Sequence, residues 1–223
     1  MDYRSLKPEI YENSCYALVE LFTPAPITGA VGLSAEGIPM VGLSFHLTNK
    51  LHLYYLLSVM GFDFDDQFNP RHLELPYVNA IDALLQNNQR SILKVDELQV
   101  ELNKVMQKRA LGLLKHSAKT NPRQEFMLFN KQEIHKVFDF IAIACEKKIN
   151  DFVARIPLSE ERLALFSMAY FGFDFSDELL KNALISGNRQ EAWSCIRYRS
   201  FKDDMTKAAA FNRYRYEAQL FGL

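Results

Sequence analysis

In this 223-residue sequence, few side chains stand in patterns that can do chemistry. Ser34, Ser44 and His46 bring hydroxyls and an imidazole into one short stretch, and strand alternation would put Ser44 and His46 on one face. No acid follows to orient the imidazole and no Gly-x-Ser-x-Gly elbow exists, so a nucleophilic triad is not expected. Gly29, Gly32, Gly37 and Gly42 form neither a phosphate loop nor a dinucleotide fingerprint. The histidines, His46, His52, His72, His116 and His135, show no i,i+4 metal-binding pair, and Cys15, Cys145 and Cys195 sit far apart in apolar helical patterns that suit buried thiols. Neither a metal nor a cofactor is expected. Near the C-terminus, Arg197-Tyr198-Arg199 and Arg213-Tyr214-Arg215-Tyr216 interleave cations with aromatic rings, a chemistry that stacks on bases or sugars. Amphipathic helices with snorkelling arginines produce the same pattern.

Composition narrows the classes further. With 48% hydrophobic and 24% charged residues the chain can bury a core, and its net charge of -1 makes bulk attraction to nucleic acid or acidic lipid an unlikely organising force. The charge is uneven: residues 1–80 carry 4 basic and 9 acidic side chains, whereas residues 187–223 carry 7 basic and 4 acidic ones. No stretch reaches the roughly 18 apolar residues of a membrane span, and the opening Met1-Asp2-Tyr3-Arg4 lacks the pattern of a signal peptide. Cytoplasmic synthesis is therefore the expectation.

The elements that must position these residues are mostly helical. Asn130 with Glu133 forms a capping box, and Ile134, Phe138, Ile141, Cys145, Ile149 and Phe152 recur at helical steps before Pro157. Ser159 caps a helix that Gly172 stops, a helix from Ser176 ends at Gly187, and Asn188 with Glu191 opens the helix of Trp193 and Ile196. Further helices are expected at 11–22, 49–60, from Asp96 to about Leu114, and at 206–221. Between 24 and 47, Pro24, Pro26, Gly29, Gly32, Pro39 and Gly42 forbid a helix, and the β-branched residues between them predict a small hairpin or meander turning at Ala35-Glu36-Gly37. Gly-Phe-Asp-Phe occurs at 61–64 and at 172–175, each time after a helix, as recurrent helix-stop chemistry.

The helix ending in Glu20, followed by Glu36-Gly37-Ile38-Pro39-Met40-Val41-Gly42-Leu43-Ser44-Phe45-His46-Leu47, resembles the active-site region of phage-type lysozymes and pesticin-like muramidases. Residues 130–153 are similar to that fold's long central helix, and Asn212-Arg213-Tyr214-Arg215-Tyr216-Glu217-Ala218-Gln219-Leu220-Phe221 is similar to its closing segment. The resemblance implies an α+β, mostly helical lysozyme-like domain spanning 1–223, with a helix and small-sheet lobe at 1–60, a helical insertion at 61–125 and a helical lobe at 126–223.

The same resemblance implies a muramidase, which needs an acid to protonate the leaving oxygen and a second carboxylate to place water or attack. Glu20, amid Leu18, Val19, Leu21 and Phe22, takes the acid's position. Ser34 stands where the family has its catalytic Asp, Met40 where it has a Thr, and Ser44 where it has a Gly. Neither a hydroxyl nor a thioether replaces a carboxylate base, so Glu36 is the nearby substitute. Ser44, His46, Arg197, Arg199, Arg213 and Arg215 are the substrate-binding candidates, with some of the arginines expected to line or rim the groove rather than all pairing with Asp203, Asp204 and Glu217 on the far face. The implied partner is peptidoglycan, with a secretion apparatus or immunity protein for a delivered antibacterial effector acting at the cell wall. The alternatives are a catalytically degenerate lysozyme fold that binds glycan or protein, and a helical adaptor for nucleic acid.

Overall fold

The computed structural model describes residues 1–23, 32–33, 39–59, 62–67, 69–72, 75–87, 97–98, 100–101, 131–173, 175–198 and 208–222. Its elements are α1 (Pro8–Phe22), β1 (Gly32–Leu33), β2 (Pro39–Val41), β3 (Phe45–His46), α2 (Lys50–Val59), α3 (Leu75–Asn87), α4 (Lys131–Phe152), α5 (Glu160–Tyr170), α6 (Glu178–Ser186), α7 (Arg189–Tyr198) and α8 (Ala208–Leu220). The chain is α+β and mostly helical, with one small antiparallel sheet among the described residues. It divides into two compact units, Met1–Thr23 with Asp139–Leu223, and Pro24–Phe138. These boundaries differ from the expected 1–60, 61–125 and 126–223: α1 clusters with the C-terminal helices, and one boundary falls inside α4.

Local chemistry sets most helix ends. Ser159 Oγ accepts from the Arg162 N–H at 3.1 Å to open α5, and Asp177 accepts from Leu179 and Leu180 to open α6 two residues later than the expected start at Ser176. Gly187, with φ 72°, closes α6, and the reciprocal Asn188–Glu191 box starts α7. The two Gly-Phe-Asp-Phe segments stop helices in the same way: Phe62 N–H reaches Leu57 C=O at 3.0 Å and Phe173 N–H reaches Met168 C=O at 2.9 Å. The expected apolar stripe of α4 is buried from Ile134 to Phe152, while its expected cap, Asn130, lies outside the described residues. α1 begins three residues before the expected start, with Pro8 in its first turn, where a missing N–H leaves no bond unmade. α3 was not among the expected helices; Pro76 fits its first turn for the same reason, and Val78 and Ile81 give it a buried face. Of the Asp96–Leu114 helix, residues 97–98 and 100–101 are described and helical.

In the unit of Pro24–Phe138, β1, β2 and β3 form an antiparallel meander with Gly32 opposite Met40, and Met40 opposite His46. Leu43, Phe45 and Leu47 join Leu53, Leu56 and Leu57 of α2 in its core.

In the unit of Met1–Thr23 and Asp139–Leu223, α5 is buried from Glu161 through Tyr170, with α1 and α8 packed against it. A helix enclosed on all sides must satisfy its own charges internally. Glu161, fully buried, takes Arg189 Nη2 at 2.6 Å, Arg4 Nε at 3.6 Å and the Arg4 backbone N–H at 3.2 Å. Arg189 also donates to the carbonyls of Asp2 and Phe221, and Arg4 Nη2 donates to Leu220 C=O at 2.5 Å. Arg162 pairs with Glu146 and donates to Asn150 Oδ1 at 2.8 Å and to Ile156 C=O at 2.7 Å; the Tyr11 hydroxyl donates to Glu146 at 2.5 Å.

Removing one partner of a buried pair leaves the other uncompensated, at a cost of about 3–5 kcal/mol. Arg189→Ala is therefore expected to lower stability by about 3 kcal/mol, the lower end because Arg4 still faces Glu161. Denaturant unfolding followed by circular dichroism checks this; a loss below about 1 kcal/mol would place the clamp among the weak surface pairs.

Burial raises the thiols of Cys15 and Cys145, the latter to about 12, above an ordinary value of 9.0. Both are expected to resist a thiol reagent at pH 8 in the folded protein and to react on unfolding. Because the folded state holds these protons more tightly, the thiols oppose unfolding least where the unfolded chain ionises: stability falls as pH rises from about 9 towards 12, which pH-dependent denaturation midpoints would register.

Candidate functional site

Glu20 occupies the last turn of α1, where the sequence put it. Its helical neighbours do not enclose it. The 100° step turns Leu18 and Val19 into the core, leaves Glu20 exposed and leaves Leu21 62% exposed, so the expected apolar setting is not supplied by flanking residues. Phe22 packs edge-on against Tyr216 with ring centres 5.6 Å apart. Tyr16, one turn before Glu20, has its hydroxyl raised above the ordinary value, first by burial and then by the Glu20 charge, so it remains an O–H donor at neutral pH. Thr23 Oγ1 donates to Val19 C=O at 2.8 Å and its backbone N–H reaches Glu20 C=O, ending the helix just after the carboxylate.

Met40 lies in the middle of β2, 5% exposed, with Gly32 and His46 as its cross-strand partners. It is a core residue. The hairpin from β2 to β3 turns through Gly42, Leu43 and Ser44, and both Gly42 (φ 59°) and Ser44 (φ 56°) are left-handed. Ser44 thus belongs to a buried turn rather than to a strand, and the alternation expected to set it beside His46 does not apply. His46, on β3, approaches His52 of α2 with ring centres 6.2 Å apart. Ser34, Glu36 and Arg199 lie outside the described residues, as do Asp203 and Asp204.

The arginines separate into different environments. Arg213 does not rim a surface: it pairs with Glu217 one turn later at 3.6 Å and stacks over Phe171 at 4.4 Å. Glu217 is fully buried and accepts from Ser167 Oγ at 2.5 Å. A buried carboxylate on α8 facing α5 requires a cation, and position i-4 supplies it. Arg215 is exposed, and Arg197 lies over the Tyr198 ring at 5.6 Å. Trp193 meets the same ring edge-on at 5.9 Å. The sequence showed the Arg-Tyr run but not Trp193 as its neighbour; the signal was the helical spacing of 193, 197 and 198.

Among the described residues, no group of three or more His, Cys, Asp or Glu side chains is placed to hold a metal ion, and no helix is long and apolar enough to cross a membrane. Comparison with protein-family models, with curated proteins and with solved structures finds no match to this chain.

A methyl group at Gly42 would sit 2.9 Å from the Phe45 ring, which is fully buried, and would require a left-handed backbone. Gly42→Ala is expected to lower stability by about 2 kcal/mol or more, since the left-handed conformation alone costs an L-residue roughly 1–2 kcal/mol. Thermal denaturation of the variant tests this; an unchanged midpoint would mean the turn relaxes freely.

Proposed function

We propose that this chain is a lysozyme-like, peptidoglycan-targeting protein of the muramidase type, with wall glycan strands as its substrate. The observation that carries the reading is the β2–β3 turn. Ser44 stands where the resembling pattern has glycine, and its φ of 56° is the backbone conformation that favours glycine. Element order supports it too: a helix with Glu20 in its last turn, a small antiparallel sheet, two helices, a long helix and then shorter helices follow one another along the chain.

In this reading Glu20 protonates the leaving glycosidic oxygen, the bond from that oxygen to the anomeric carbon breaks, and water adds to the carbon. A second carboxylate takes the proton from that water. The setting at the wall implies delivery by a secretion machine and a cognate immunity protein as partners. A second reading, a degenerate fold that binds glycan without cleaving it, is favoured by Met40, whose buried thioether can neither hold water nor accept its proton.

Sacculus digestion distinguishes the two. The muramidase reading expects new muramic-acid reducing ends from the wild type and a fall of about 100-fold or more in Glu20→Gln, with an unchanged melting temperature because the side chain is exposed. Sedimentation with sacculi but no reducing ends would assign the chain to binding alone. Neither cleavage nor sedimentation would overturn both readings.

A further inference from the structure

We draw no further inference here: the strongest candidate, the outward face of α1, where Ile10 and Leu21 stand exposed beside the exposed carboxylates of Glu9 and Glu20, carries nothing because nothing in the structure shows what covers it.

Discussion

The unit of Met1–Thr23 and Asp139–Leu223 depends on how a fully buried carboxylate, Glu161, is neutralised. It lies in the first turn of α5, where the helix dipole favours negative charge, but removal from water would be prohibitive without cations. Two arginines from distant parts of the chain converge on it, and each also holds backbone carbonyls near the C-terminus. The N-terminal segment is thereby drawn along the start of α5, where Leu6 N–H bonds Leu158 C=O at 2.8 Å and Ser5 bridges Ser159. Position of α1, and with it of Glu20, follows from that docking.

Two further charge clusters secure the same helix. Arg162 is held by Glu146, Asn150 and a carbonyl, with Tyr11 of α1 completing the Glu146 shell, and Ser167 ties α5 to Glu217 and Arg213 of α8. Buried pairs of this kind add little net stability compared with an apolar core of equal volume, but they tolerate few alternative registers. Here Glu146 joins α4 to Arg162 of α5, and Glu217, paired within α8, joins α5 through Ser167. The fold therefore uses Arg162, Arg189 and Arg213 as internal fasteners, whereas Arg197 of α7 is the half-buried partner of an aromatic ring.

The sheet unit is organised by a different constraint. Three residues must reverse the chain between β2 and β3, which forces left-handed backbone at Gly42 and Ser44, and the Phe45 ring fills the space a side chain at Gly42 would need. With the register so set, Met40 is directed into the core. A thioether there serves packing, and any chemistry at this strand must come from residues beside it.

Much of this was legible in the sequence because it is local. Ser159, Gly187, Asn188 and the Gly-Phe-Asp-Phe stops act on hydrogen bonds within a turn or so of themselves, and the apolar period of α4 reports its buried face directly. α3 and the earlier start of α1 were not expected, although each carries a proline near its start that a first turn accommodates. What tertiary structure alone decided is the fate of the charges. Nothing in the spacing of Glu217 distinguishes a solvated carboxylate from one buried against Ser167, and nothing around Glu161 announces Arg4, 157 residues away, as its partner. The exposure of Glu20 belongs to the same class, because burial and partner choice for a polar side chain are set by which distant surfaces meet it, whereas caps, stops and periods are set by the backbone geometry of the residues themselves.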